Sequence, residues 1–300
     1  MTDGILAVST ASIFIRYAQQ EAPSLVIAAY RLGLATLLLI PAIGRGARDE
    51  IRGLQRNQVG RLLLSGVFLA LHFSAWITSL EYTSVTSSVV LVTTTPLWVA
   101  VFSPLVLKEK IRREVWIGLI LAMIGGIIVG LQSACDFQEG KITCENFGNM
   151  LAGKALTGNF LALTGAWMAA GYMLMGRSVR GNLSLTSYTF LVYGVSAIIL
   201  LAFVIIMGLP VTGYSGNIYL WFLLLAVIPQ LLGHSSFNWA LKYLPAAVVA
   251  TALLGEPIGT TILAVIFLAE IPHAGEIIGG ILILIGIYIT SRASIPTQTK

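Results

Sequence analysis

Long apolar runs alternate along this chain with short segments that carry charges or turn residues. A membrane-crossing helix needs roughly 17–25 mostly apolar residues, whereas a membrane strand shows about ten residues of alternating character. Because the runs are continuous, the pattern predicts an all-α polytopic membrane protein. The ten predicted transmembrane helices cover residues 4–20, 24–43, 61–80, 85–107, 115–132, 155–175, 185–208, 218–241, 246–268 and 275–291.

One stretch of the chain occurs twice, with tyrosine, proline and glutamate at matched places. The matched residues are Tyr82 and Tyr243, Pro96 and Pro257, and Glu109 and Glu270. The differences 243 − 82, 257 − 96 and 270 − 109 all equal 161. A constant offset with apolar residues between the landmarks indicates duplication of a half-chain.

The basic residues predict how the two copies enter the membrane. With a cytoplasmic N-terminus, fourteen of the eighteen Lys and Arg fall on the inner side, Lys141 and Lys154 fall outside, and Arg16 and Arg31 lie within spans. This excess is typical of cytoplasmic loops, so we expect both termini to be cytoplasmic. Five helices per copy is an odd number, so the second copy is expected to be inverted.

The predicted organisation has three parts. Residues 1–132 form a first five-helix repeat, 133–153 an extracytoplasmic loop, and 154–300 a second, inverted five-helix repeat. Inverted repeats commonly build secondary transporters, whose substrate site lies near the membrane midplane and whose access alternates between the two sides. The architecture therefore points to transport, although a fold does not fix a substrate.

Composition supports a membrane protein and excludes several other classes. The chain is 57 % hydrophobic and 10 % charged, whereas a soluble domain carries about 25 % charged residues. Orientation in the membrane accounts for the basic residues 45–61, so no nucleic-acid partner is expected. Cys135 and Cys144 either form a disulfide in the exterior loop or remain free thiols. The sequence has no ATP-binding lysine motif and no hydrolase or metalloprotease motif, so we expect no enzyme, cofactor or metal site.

Several short motifs carry a resemblance to a known family. They are Ala29-Tyr30-Arg31, Thr95-Pro96-Leu97, Leu107-Lys108-Glu109-Lys110, Glu256-Pro257-Ile258-Gly259, Phe267-Leu268-Ala269-Glu270 and the closing glycines Gly275, Gly279, Gly280 and Gly286. On these motifs the chain resembles the EamA-type transporters of the drug/metabolite transporter superfamily, over nearly its whole length. The resemblance implies a central cavity lined by the first, third, fourth, sixth, eighth and ninth spans. It also implies export of amino acids or related small metabolites across the cell (plasma or inner) membrane.

Glu256 is the sharpest candidate for chemistry, because an ionisable side chain at membrane depth normally faces a cavity or a partner. It could bind the ammonium group of an amino acid, or carry a proton that couples export to the proton gradient. The structural alternative is an acid that caps or pairs with a neighbouring helix. Pro257 beside it and the matched Pro96 are predicted as places where a helix bends during alternating access.

Two histidines and two arginines also lie in predicted spans. His72 and His234 are one residue away from the repeat offset and could bind substrate or move a proton, unless they are packing residues. Arg31 and Arg16 could receive a substrate carboxylate, but structural roles are favoured for both. Arg16 is near the outer end of its span and can reach the interface, whereas Arg31 lies about seven residues into its helix and could reach it only in a strained conformation.

The remaining candidates are aromatic or neutral polar residues on predicted cavity helices. They are Trp76, Trp167, Tyr172, Trp239 and Asn238. Such rings suit the mainly apolar pockets of medium-sized organic ligands, although interface belts and core packing also use them. Glycine spacing at Gly126 and Gly130, and at Gly275 and Gly279, predicts close helix packing inside one chain or in a homodimer.

The leading hypothesis is thus a secondary transporter that exports amino acids or related small metabolites by alternating access, with possible proton coupling. The alternative is a membrane-embedded interaction protein with a closed, non-transporting cavity. That alternative predicts that Glu256 is paired away from water and that no solute stabilises the protein.

Overall fold

The computed structural model describes residues 2–83, 85–132, 136–138, 141–143, 153–260, 263 and 274–293. The predicted disulfide between Cys135 and Cys144 and the repeat landmark Glu270 lie outside these ranges. The first half holds α1 Thr2–Ser9, α2 Ala11–Ala18, α3 Ser24–Leu39, α4 Arg45–Arg52, α5 Arg56–Tyr82, α6 Val85–Val92, α7 Thr95–Val106 and α8 Arg113–Gln132. The second half holds α9 Gly153–Arg180, α10 Leu185–Ile206, α11 Gly216–Leu225, a π-helical segment Ala226–His234, α12 Ser235–Ala240, α13 Ala246–Ala252, a 3₁₀ turn Leu253–Gly255, and α14 Ala274–Ala293.

The predicted helical fold class is confirmed, with one local exception. Five helical stretches are long and apolar enough to cross a membrane: Ser24–Ala42, Arg56–Tyr82, Ser88–Val106, Leu185–Ile206 and Gly216–Ala240. Shorter apolar helices cover Ala246–Thr260 and Ile277–Thr290. The number of ten spans remains a prediction. The exception is a small antiparallel hairpin, in which β1 Asp136–Gln138 pairs with β2 Lys141–Thr143 inside the predicted long loop.

The first predicted span is two short helices rather than one. Helix α1 ends at Ser9 and α2 begins at Ala11, with Thr10 between them. The Thr10 hydroxyl donates to the carbonyl of Ala7 over 2.8 Å, so the side chain satisfies a backbone group at the interruption. A hydroxyl that bonds the preceding turn competes with the regular helical ladder and favours a bend.

The helices of the two halves pack against each other in a regular set of pairs. Helix α5 runs along α9, and α1 packs on the π-helical segment. Helix α3 runs along α10, α7 contacts α13, and α8 runs along α14. In the numbering of the predicted spans these pairs are third with sixth, first with eighth, second with seventh, fourth with ninth, and fifth with tenth. Adding or subtracting five converts this set into itself.

Helices α8 and α14 cross closely through glycines. A Cβ atom at Gly118 would lie 2.5 Å from the carbonyl oxygen of Gly286, and one at Gly125 would lie 2.5 Å from that of Gly279. Glycine permits this approach because it has no side chain. Gly279 is at this contact as predicted, but its partner is Gly125 rather than Gly126, whose Cβ would have no neighbour within 4 Å in the described part of the chain. Within one chain the packing face of α8 is therefore displaced by one residue, and packing in a homodimer remains a prediction.

Candidate functional site

Two helix interruptions face each other across the contact between the halves. Helix α6 ends at Val92 and α7 begins at Thr95, just before Pro96. At the matched place, α13 gives way to the turn Leu253–Gly255 and the helix resumes at Glu256, just before Pro257. Proline lacks the N–H group that would continue the hydrogen-bond ladder, which explains why both helices break here. The conformational role predicted for the two prolines remains a prediction.

A cavity lies at these interruptions, and the space between atoms there is about 690 Å³, part of which is open to the outside. It is bordered by α1, α2, α3, α5, α9, the π-helical segment, α12 and the two interrupted helices. Ten lining residues form five pairs separated by 161 positions: Val8 and Ala169, Ala11 and Tyr172, Trp76 and Phe237, Val92 and Leu253, and Thr95 and Glu256. The frame of the cavity is therefore built from matched positions of the two halves.

Seven other lining residues have no matched partner in the lining: Arg31, His72, Thr93, Met173, His234, Asn238 and Leu241. Most of the polar side chains of the cavity belong to this set. The chemistry of the cavity is thus far less symmetric than its frame.

Of the predicted site residues, six line the cavity: Glu256, His72, His234, Asn238, Trp76 and Tyr172. Trp167 and Trp239 do not belong to its lining. Trp167 is 38 % exposed and packs edge-on against Trp98, and Trp239 is 51 % exposed and packs against Tyr243. Both rings are on the outer surface of the helix bundle, where aromatic residues also serve as membrane anchors.

His72 is held by a backbone group of the opposite half. Its Nδ1 atom lies 2.9 Å from the carbonyl oxygen of Gly165. A carbonyl can only accept, so Nδ1 carries a proton and Nε2 of the neutral ring is an acceptor. The matched positions in the other pair of helices are Gly4 and Gly233, and neither has a side chain that could form this bond. His72 and His234 line the cavity together, with ring centroids 6.5 Å apart, but they are not equivalent positions.

Asn238 belongs to a buried polar network rather than standing alone. The Tyr172 hydroxyl donates to Asn238 Oδ1 over 2.5 Å, and Asn238 Nδ2 donates to the Tyr193 hydroxyl over 3.2 Å. Tyr193 in turn bonds Ser235 at 3.2 Å, and Arg180 Nε donates to the Asn238 carbonyl over 2.7 Å. The network therefore joins the cavity wall to the end of α9, and it fixes the orientation of the Asn238 amide.

Arg31 lines the cavity and is fully buried. Its Nε atom donates to Gln230 Oε1 over 2.8 Å, and the guanidinium carbon lies 4.2 Å from the centroid of the Phe73 ring. Both terminal nitrogens lack a hydrogen-bond partner among the described residues. Contacts with Gln230 and Phe73 fit the structural role favoured from the sequence, and the terminal nitrogens fit the carboxylate-binding alternative, so both remain predictions. The position of Arg31 well inside a span was the signal that it meets a cavity.

Glu256 is buried as well, with 8 % of its surface exposed. Its backbone carbonyl accepts hydrogen bonds from Ser9 at 3.1 Å and Thr260 at 3.0 Å, which ties the interrupted helix to α1. Its side-chain Oε1 atom has no partner in the described ranges. Within those ranges the ion pairs are Arg112 with Glu114 and Arg177 with Glu109, so Glu256 is not paired with Arg31.

The π-helical segment Ala226–His234 is a feature that sequence reasoning missed. It contains Pro229, and it brings Gln230 to Arg31 and His234 to the cavity. The matched helix α5 is continuous over the same stretch. Wider helical turns of this kind often occur at functional sites, and an internal proline in an apolar run was the available signal.

Helix α4, residues 108–113 and residues 177–180 lie at one end of the bundle, which we call the arginine-rich end. Arg177 Nε lies 2.9 Å from Glu109 Oε1, and Glu50 Oε2 accepts from the hydroxyls of Ser187 at 2.6 Å and Ser184 at 2.7 Å. These hydrogen bonds lower the pKa of Glu50, and the bond from Ser187 has the largest effect. The α4 segment is thereby attached to the first turn of α10.

Comparisons with known proteins agree with this architecture. The model of the EamA-like transporter family matches residues 4–131 and again 156–292. An uncharacterized transporter of Clostridium kluyveri is 24 % identical over 258 residues, covering 84 % of this chain and 78 % of the relative. One of Archaeoglobus fulgidus is 25 % identical over 283 residues, covering 93 % and 91 %. A crystal structure at 16 % identity covers 99 % of this chain and 97 % of its own, with a TM-score of 0.74, which shows a shared fold.

Proposed function

The chain belongs to the EamA-like transporter family and is a multi-pass membrane transporter, and from this premise we propose that it exports an amino acid or a similar small metabolite by alternating access. Members of this family are transporters rather than enzymes. The observation that carries the proposal is the cavity at the two helix interruptions, framed by matched residues of the two halves and containing Arg31 and Glu256.

Alternating access is supported by the way the halves meet. The helix pairs described above exchange among themselves when the halves are interchanged, as two inverted copies around a central axis would require. The glycine contacts behave alike, because exchange converts the Gly118–Gly286 contact into the Gly125–Gly279 contact. Rocking one half on the other would then open the cavity to each side in turn. The proposed location is the cell membrane, with both termini in the cytoplasm.

The alternative of a closed interaction protein is less well supported. It expects Glu256 to be paired away from water, whereas its Oε1 atom has no partner among the described residues. The cavity also has an open side and several polar groups on its wall. These features suit a solute better than a static contact.

The test is flux into proteoliposomes containing the purified full chain. Labelled aliphatic, aromatic, hydroxyl and sulfur-containing amino acids are offered with and without a pH gradient, for wild type and Glu256→Gln. The matched control is Glu114→Gln, an exposed glutamate outside the cavity. We expect flux in wild type and control, with loss in Glu256→Gln. Stimulation by the gradient would add proton coupling, and no flux of any of these compounds by wild type would contradict the proposed substrate class.

A further inference from the structure

We propose that Arg31 and Glu256 are the two poles of a binding site for a zwitterion, with the guanidinium group binding a carboxylate and the Glu256 carboxylate binding an ammonium group. Both side chains line the same cavity. The inference rests on the proposed transport function and adds to it which residue binds which end of the substrate.

The guanidinium group of Arg31 is held so that one edge remains available. Gln230 occupies Nε, and the Phe73 ring covers a face of the group. What remains is the pair of terminal nitrogens, both buried and without a partner among residues the structure describes. Two parallel N–H donors of this kind match the two oxygens of a carboxylate. A buried, unpaired guanidinium is otherwise costly, and a bound anion removes that cost.

The opposite pole is equally incomplete. Glu256 Oε1 is buried without a hydrogen-bond partner in the described chain, and Ser9 and Thr260 engage the backbone carbonyl of Glu256 rather than its carboxylate. Arg31 does not fill this position, because no ion pair joins the two residues within 4.0 Å in the part of the chain described. An ammonium group donates up to three hydrogen bonds, and its positive charge would neutralise the buried carboxylate.

The two poles select for a ligand that carries both charges. A singly charged ligand would satisfy one residue and leave the other buried without a partner. The surface around the poles includes Trp76, Met173 and Phe237, which suits an apolar side chain. The matched positions of Arg31 and Glu256 are Val192 and Thr95, so the halves offer one orientation for the ligand rather than two.

The test measures binding to the purified full chain for two sets of ligands. The first set is L-leucine, L-leucinamide, which lacks the carboxylate, and 4-methylpentanoate, which lacks the amino group. The second set is L-phenylalanine with its corresponding amide and 3-phenylpropanoate. We expect at least one zwitterion to bind about tenfold or more tightly than both of its singly charged counterparts, since each lost charged hydrogen bond has this order of effect.

Two substitutions separate the poles. In Glu256→Gln the amino acid should lose its advantage over the deaminated acid and keep its advantage over the amide. In Arg31→Gln the losses should be reversed. The controls Arg16→Gln and Glu114→Gln change exposed residues outside the cavity and should keep the wild-type ranking.

Several outcomes would overturn the two-pole site. One is that wild type binds an amide or a deaminated acid as tightly as the corresponding amino acid. A second is that both variants lose affinity for the same ligands. A third is that none of the six ligands binds. If a variant fails to fold, the wild-type ranking alone decides. Flux of an amino acid without the zwitterion preference would overturn this inference and leave transport standing. The preference without flux would overturn transport and leave the binding site standing.

Discussion

The two halves of the molecule are alike where helices pack and unlike where charge is buried. Gly118 and Gly125 of α8 meet Gly286 and Gly279 of α14, and the differences 279 − 118 and 286 − 125 both equal 161. The same glycine contact thus occurs twice, once at each of the two crossing points of α8 and α14. Close contact of helix backbones depends on a missing Cβ at each crossing, so these positions tolerate little divergence between the halves.

The buried charges follow the opposite rule. Arg31 stands where the other half has Val192, and Glu256 stands where it has Thr95, again at the offset of 161. Val192 is buried in the core, and the Thr95 hydroxyl is satisfied by the Val92 carbonyl at 2.7 Å. Matched positions therefore build the frame of the cavity, and its two buried charges stand where the other half has an uncharged residue.

The largest effect is expected from removing a buried charge that the other half lacks. Glu256→Gln should reduce amino-acid flux in proteoliposomes by about 10- to 100-fold, the order of one buried charged hydrogen bond. Glu256→Asp should retain more flux than Glu256→Gln, because it keeps the carboxylate. Equal flux in wild type and Glu256→Gln would show that transport does not need the charge of Glu256.

The next effect concerns the matched frame. Gly125→Ala should lower the free energy of unfolding by about 1–3 kcal/mol, because its Cβ would overlap the Gly279 carbonyl. The neighbouring Gly126→Ala is the control, with open space around its Cβ and no expected loss. Gly286→Ala should cost about as much as Gly125→Ala if the two halves are equivalent. Unfolding in detergent measures all three, and a loss of similar size in Gly126→Ala would place the helix contact elsewhere.

A smaller effect distinguishes the cavity ring from the outer rings. Trp76→Phe should remove most of the change in tryptophan fluorescence that an amino acid induces, because Trp76 lines the cavity. Trp167→Phe and Trp239→Phe should leave that change in place, since these rings are exposed on the bundle surface. Affinity should change by less than about threefold in the latter two. A signal that follows Trp239 instead would put the ligand outside the cavity.

The smallest effect lies at the arginine-rich end. Hydrogen bonds from Ser187 and Ser184 lower the pKa of Glu50 in the folded protein. A lowered pKa stabilises the fold above the ordinary carboxyl range, and this contribution is lost as pH falls through the folded value, below about pH 4. Because Glu50 is partly exposed, the loss should be a few tenths of a kcal/mol. The midpoint temperature of thermal unfolding should fall more steeply with decreasing pH in wild type than in Glu50→Gln. Parallel pH dependences of the two proteins would contradict this.

Sequence patterns predicted the helical class and a place for Glu256 in the cavity, because apolar runs and a lone acid within one are strong signals in a membrane protein. That Arg31 lines the cavity could not be predicted, because its distance from a helix end does not show which face of the helix meets the cavity. For packing within the chain the glycine register is wrong at Gly126, because Gly125 meets Gly279 instead. Spacing alone cannot select the face on which two helices cross. The π-helical segment depends on tertiary contacts such as that between Gln230 and Arg31.

The most direct test of the account is counterflow in proteoliposomes preloaded with unlabelled L-leucine or L-phenylalanine, with the same labelled amino acid outside. A carrier whose single central site alternates between the two sides should accumulate label transiently above equilibrium, and Glu256→Gln should abolish this overshoot while Glu114→Gln retains it. A simple approach to equilibrium in wild type, or an overshoot that survives Glu256→Gln, would contradict alternating access at this site.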